Sequence, residues 1–198
     1  MKTIHINEQF KEDWNRVLNH IANLFYEDSV IQFTKDGANM SISFEHGIAD
    51  DYTISTAAKL IVDGQEFTSS YSIGYATEGT EKEQSIRMKR ALSHVMLDVL
   101  EQYTGMTQQW GILTGVRPTK LYHKFRKEGL SEEQIFEKLK TDFRLSDFKI
   151  NLLKEIVARQ LHVIPDLDEL GREISIYIGV PFCPTMCAYC TFPAYAIQ

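Results

Sequence analysis

All three cysteines of the sequence stand in one short stretch, PFCPTMCAYCTF, as Cys183, Cys187 and Cys190 with the spacing C-x₃-C-x₂-C. Three thiolates so close together can converge on one soft metal centre without help from distant chain. A closed structural zinc site wants four ligands, commonly two C-x₂-C pairs or cysteine with histidine. No histidine follows the loop, and the nearest earlier one is His162, across a turn-rich stretch. A dithiol redox site could use Cys187-Ala-Tyr-Cys190 alone, which leaves Cys183 without a role and lacks the expected βαβ setting. An iron–sulfur cluster normally takes four cysteines, so three from the protein leave one iron open to bind something else directly. The spacing favours iron–sulfur over zinc, with unligated or disulfide-forming cysteines as the remaining alternative.

The bulk composition frames that choice. The 198 residues are 43% hydrophobic and 24% charged, enough for one sizeable core or two small ones. A formal net charge of −6 gives no global electrostatic case for nucleic acid or an anionic membrane. The opening MKTIHINEQFKEDW lacks the apolar region of a signal peptide, and no apolar run approaches the ~20 residues of a membrane span. The expected location is the cytoplasm, where clustered cysteines serve metal or redox chemistry rather than stapling a fold.

The elements that must position the loop are legible from periodicity. KTIHI predicts a short strand. Asn7 is placed to cap a helix over 8–26, whose face carries Phe10, Trp14, Val17, Leu18, Ile21, Leu24 and Phe25. VIQFT, MSISFEH, YTISTAAKLIV and EFTSSYSIGY read as strands, with Asp36-Gly37 and Asp63-Gly64 as hairpin turns. These predict an α+β N-terminal domain over 1–105, an antiparallel sheet of four or more strands with helices, ending in a long helix over 81–103 that Gly105 closes. That helix carries the apolar stripe Ile86, Leu92, Val95, Met96, Val99 and Leu100. Residues 106–165 form a helical connector: Pro118 suits a first helical turn, Gly129 ends that helix, and Ser131 with Gln134 makes a capping box for a helix to about 140. Ser146 starts another, ending near His162. The acidic PDLDELGRE opens the last region, 166–198, as a linker. In ISIYIGVPF, Ile174, Ile176, Ile178 and Val180 alternate with Ser175, Tyr177 and Gly179, which predicts a strand with the cysteines just beyond its C-terminal end. α/β barrels place their active sites at that end.

Other residues invite chemistry and have plainer readings. Arg117, Lys120, His123, Lys124, Arg126 and Lys127 lie in a segment without an acid before Glu128, an anion site or a solvated helix face; the helix dipole favours the latter, since the basic residues gather towards the C-terminal end. The Thr114-Gly115 turn ahead of them could present backbone N–H groups to an anion. His94, among apolar neighbours on the long helix, reads as a packed or surface histidine rather than a ligand.

C-x₃-C-x₂-C directly after a strand, with an aromatic residue before the third cysteine, resembles the signature of the radical S-adenosylmethionine (SAM) superfamily. The longer string YIGVPFCPTMCAYCTFPAY is similar to the oxygen-independent coproporphyrinogen III dehydrogenase (oxidase) family, and WGILTGVRPTKL resembles its HemZ branch. The resemblance implies that Cys183, Cys187 and Cys190 ligate three irons of a 4Fe–4S cluster and that the open iron takes the amino and carboxylate groups of SAM. It places Tyr189 beside the SAM adenine and Tyr177 on the same pocket, where Tyr177 could equally be a packing residue inside a barrel. Reduction of the cluster by an electron donor would cleave SAM to a 5′-deoxyadenosyl radical. That radical would remove a hydrogen from a propionate side chain, and loss of CO₂ and an electron would leave a vinyl group. Two rounds convert coproporphyrinogen III to protoporphyrinogen IX in haem synthesis, making the full-length protein an oxidoreductase with a porphyrinogen substrate. The sequence departs from the family at Phe192, where members often carry a fourth thiol. Related haem-chaperone proteins keep three cysteines without that thiol, so a haem or iron–sulfur binding protein without decarboxylase activity is the alternative. A radical SAM barrel of about six βα units needs roughly 190 residues. The chain is therefore expected to hold only that barrel's first strand and cluster loop, with residues 1–198 inactive alone.

Overall fold

The computed structural model describes residues 2–114, 117–167, 169, 176–184, 187, 188, 190, 195 and 196. The chain forms two compact units, Met1–Ala158 and Arg159–Gln198.

In the first unit, β1 (Thr3–Ile6), β2 (Val30–Gln32), β3 (Met40–Ile48), β4 (Ile54–Val62) and β5 (Gln65–Ile73) form one sheet in the order β2-β1-β3-β4-β5. Alternation sets its faces: Ile4, Ile6, Met40, Ile42, Phe44, Ile54, Ala58, Leu60 and Val62 are buried, while Ser55, Lys59, Thr68, Ser70 and Ser72 lie on the opposite side. The sheet is mixed, which corrects the expectation of an antiparallel one: β3, β4 and β5 are antiparallel neighbours, but β1 pairs parallel with both β2 and β3. Before β2 this is the work of α1 (Glu12–Ala22), which carries the chain from the end of β1 back to its start, as a crossover helix must before a parallel strand; before β3 residues 33–39 make the same return without a helix. Asp63-Gly64 makes the β4–β5 hairpin, with both residues at positive φ (50° and 77°), as a two-residue turn of that hand requires. Asp36-Gly37 is a turn but not a hairpin turn, because β1 lies between β2 and β3.

The first helix is shorter than the predicted 8–26, and Asn7 does not cap it. The Asn7 side chain instead bonds β3: its Oδ1 accepts from the Phe44 N–H at 2.9 Å and its Nδ2 donates to the Phe44 carbonyl at 3.4 Å. A strand-edge backbone next to Asn7 competed successfully for the side chain. Phe10, Leu18, Ile21 and Phe25 are buried as predicted, and Leu24 is partly exposed because the helix ends at Ala22.

α2 (Glu81–Thr104) packs across β4 and β5 and against α1. A Thr80–Glu83 capping box starts it, and Gly105 at φ 68° ends it. Met88, Ala91–Leu97, Val99 and Leu100 are all buried, so the helix is enclosed well beyond one stripe, whereas Ile86 near its start is exposed. Three shorter helices follow: α3 (Pro118–Lys127), α4 (Glu132–Phe143) and α5 (Asp147–Val163). Pro118 occupies the first turn of α3, and Ser131 with Gln134 forms the predicted capping box of α4. Leu139, Ile150, Leu153 and Val157 bury the inner faces of α4 and α5.

The second unit begins with the last turn of α5. Two short strands, β6 (Phe182–Cys183) and β7 (Tyr195–Ala196), pair in parallel. The strand predicted over ISIYIGV is not formed where it is described: Ile176–Val180 has no strand partner, and Ile176, Tyr177, Ile178 and Val180 are all exposed. Alternating residues make a strand only when a neighbour takes up the ladder bonds, and the pairing starts two residues later, at Phe182. Ile174 and Ser175 lie outside the described residues. Among those described, no helix is long and apolar enough to cross a membrane.

Candidate functional site

Cys183 sits inside β6 rather than beyond a strand's end, and its strand is held to β7 by the Tyr195 N–H, which donates to the Pro181 carbonyl at 2.7 Å. Phe182 and Tyr195 approach with ring centroids 6.3 Å apart. Cys187 and Cys190 are joined by a turn in which the Cys190 N–H donates to the Cys187 carbonyl at 2.9 Å. All three thiols are free; Cys183 and Cys187 are exposed and Cys190 is half-buried. This donor set fits an iron–sulfur cluster in its chemistry: three soft ligands, none in a disulfide, on a loop short enough to close round one centre. It is not drawn together, however, since among the described residues no group of three His, Cys, Asp or Glu side chains is placed to hold a metal ion.

Tyr177 is exposed on the unpaired segment, with its ring turned back over Gly179, where an added Cβ would lie 3.1 Å from a ring carbon. Tyr189 and Phe192 lie outside the described residues, as does Gly115 of the Thr114-Gly115 turn. On α3, Arg117, Lys120, Lys124 and Lys127 are exposed, Lys124 makes an exposed ion pair with Glu128 at 3.6 Å, and His123 and Arg126 are half-buried.

His94 is a packed histidine, the first of the two readings the sequence left open. Its Nε2 donates to the Asp142 carbonyl at 2.9 Å, which fixes the proton on that nitrogen because a carbonyl only accepts. Its ring stacks on Tyr71 at 4.1 Å. Burial pushes the imidazole below its ordinary value despite the carbonyl, which favours protonation.

Periodicity did not reveal the polar joint around it. Arg90 reaches Asp142 at 3.2 Å, and Arg144 reaches Asp98 at 3.0 Å, Glu101 at 2.8 Å and the His94 carbonyl at 3.2 Å. Burial alone would raise the Asp98 carboxyl, but the Ser69 hydroxyl and the Arg144 guanidinium hold it below its usual value. This joint fastens α4 to α2 within the first unit. No local pattern in the sequence signalled it: Arg144 follows α4 as an ordinary non-glycine residue, and its φ of 59° is set by the structure.

No protein-family model and no solved structure matches the chain. One curated protein does: the oxygen-independent coproporphyrinogen-III oxidase-like protein HemZ of Bacillus subtilis (strain 168), 46% identical over 186 residues. The match covers 93% of this chain and 36% of the relative. The resemblance read from YIGVPFCPTMCAYCTFPAY and WGILTGVRPTKL therefore extends over nearly the whole sequence, and this chain is similar to HemZ, of which it spans about a third of the length.

Proposed function

We propose that this chain carries the cluster loop of a radical SAM oxidoreductase acting on coproporphyrinogen III, with Cys183, Cys187 and Cys190 holding a 4Fe–4S cluster. The observation that carries the reading is the 46% identity to HemZ over a stretch that includes nearly the whole chain. The three free thiols on one short loop supply the ligand chemistry. When bound, the cluster would supply the electron that cleaves SAM, and the protein's share is placement and exclusion of side reactions. Cys187 and Cys190 already share a hydrogen-bonded turn, so ligation requires Cys183 to close on that pair. Tyr189, between two ligands in sequence, and Tyr177 would flank SAM. An electron donor is required, the cytoplasm is the expected setting, and turnover belongs to the protein at the relative's full length.

Phe192, where a fourth thiol often stands in the family, favours a second reading: a haem or iron–sulfur carrier that keeps the loop without decarboxylation. The test uses anaerobic reconstitution with iron and sulfide. The wild-type chain should retain both and Cys187→Ser neither; zinc without iron or sulfide overturns both readings. A chain extended to the relative's length, reduced and given SAM, should release 5′-deoxyadenosine and CO₂ together only when coproporphyrinogen III is present. SAM cleavage that ignores the porphyrinogen, or none, decides for the carrier.

A further inference from the structure

α3 is the most cationic element of an acidic chain: five Lys or Arg fall between Arg117 and Lys127 with no acid among them. Lys120, Lys124 and Lys127 recur at i, i+4 and i+7, so they form one exposed row about 10 Å long. The row borders a groove of about 630 Å³ lined by Lys120, Leu121, His123, Lys124, Lys127 and Glu128. Its walls are chiefly carbon, from Leu121 and the lysine stems, with ammonium groups at the rim. The positive end of the helix lies on the Lys120 side, where Arg117 precedes the first turn, no acid occupies it and no side chain caps it, while Lys124 and Lys127 stand in the last turn. The one acid among the described residues that line the groove, Glu128, lies past the far end and pairs with Lys124.

A small anion would need donors converging on a point. These charges are instead strung along an apolar floor, which suits a broad apolar body with several carboxylates at its edge. A single-stranded nucleic acid is also a polyanion, but among the described residues that line the groove there is no Phe, Tyr or Trp on which bases would stack; Tyr122 and Phe125 of the same helix are buried. The geometry points to a docking groove on α3 for a carboxylate-bearing tetrapyrrole, with propionates on Lys120 and Lys124 and a pyrrole edge on Leu121. This inference rests on the substrate class proposed above.

The experiment is a fluorescence-anisotropy titration of coproporphyrin III, the stable oxidised form, with the whole chain in the absence of iron. Saturable binding is expected, weakened about tenfold by the double variant Lys120→Glu/Lys124→Glu and by a smaller factor in Lys120→Gln/Lys124→Gln. Raising salt from about 50 to about 500 mM should also weaken it. Far-UV circular dichroism checks both variants, and the glutamine pair gives the answer should charge reversal disturb folding. The variant with all three cysteines changed to serine should bind as the wild type does. Absence of saturable binding, or wild-type affinity in a folded lysine variant, overturns the groove. So does loss of binding in the cysteine variant, or tighter binding of a single-stranded oligonucleotide through the same lysines. Iron and sulfide retention is read separately, so a chain that holds the cluster but not the porphyrin loses only this inference.

Discussion

Gly111 is where the segment after α2 meets the end of α4, and its replacement by alanine should be among the most damaging single-methyl changes in the first unit. Gly111 adopts φ 54°, and a Cβ there would lie 2.1 Å from the Phe143 carbonyl oxygen and 2.5 Å from that of Arg144. Both obstacles are backbone, and the Phe143 carbonyl already accepts from the Ile112 N–H at 3.0 Å, so relief requires the joint to open. The left-handed conformation costs about 1–2 kcal/mol for a residue with a Cβ, and a less flexible unfolded chain returns about 0.4–1. Overpacking adds about 1–3 kcal/mol and the disturbed hydrogen bond about 1. The sum is about 3–5 kcal/mol. Gly105 is the matched control, because it adopts φ 68° with nothing within 4 Å of an added Cβ. Gly105→Ala should therefore cost only about 1 kcal/mol. Urea unfolding followed by circular dichroism would measure both. A loss in Gly111→Ala no larger than in Gly105→Ala would refute the close approach.

Three further perturbations test the core and the joint. Leu97→Ala, at a fully buried position of α2, should lower the urea stability by about 2–5 kcal/mol, and a loss below 1 would mean the helix is not enclosed. Arg144→Ala and Arg144→Gly both remove the guanidinium from Asp98 and Glu101, but glycine tolerates φ 59°, so the alanine variant should be the less stable by about 1 kcal/mol in the same assay. Burial holds the His94 imidazole below the 6.5 of an exposed histidine, so the unfolded chain takes up the proton first. Its contribution is therefore complete above about pH 6.5 and is lost as pH falls from there towards the folded value. The urea midpoint of the wild type should decline below that pH more steeply than that of His94→Gln, and parallel profiles would remove His94 as the cause.

What the sequence revealed follows local rules closely. Ser131 with Gln134, Pro118, Gly105 and Asp63-Gly64 each act through neighbours within a few residues, and each appears where its chemistry required. The misreadings all turn on partners distant in sequence. Asn7 is as good a cap as any, yet Phe44, 37 residues on, takes both of its amide atoms. Asp36-Gly37 has hairpin chemistry, yet β1 occupies the place beside β2 that a hairpin would need. The mixed sheet has the same origin: strand direction is set by where the connections after β1 and after β2 return the chain, and alternation within KTIHI carries no information about that.

The cysteine loop shows this division most sharply. Residue type and spacing are local properties, so the three clustered soft donors, and the expectation that they serve one metal centre, could be read directly from C-x₃-C-x₂-C. The support under them is not local. Ile176, Ile178 and Val180 have the alternation of a strand, but alternation describes a face that some other layer must cover, and here those side chains are exposed. The ladder that does form, Phe182–Cys183 with Tyr195–Ala196, brackets the loop from both ends and brings its start and finish together. Closing the loop in this way lowers the entropy that metal binding must overcome. If it positions the ligands, Tyr195→Pro, which deletes the N–H donated to the Pro181 carbonyl, should reduce iron and sulfide retention after reconstitution while leaving the unfolding of Met1–Ala158 unchanged. Wild-type retention in that variant would show that the cysteines assemble the site without β6 and β7.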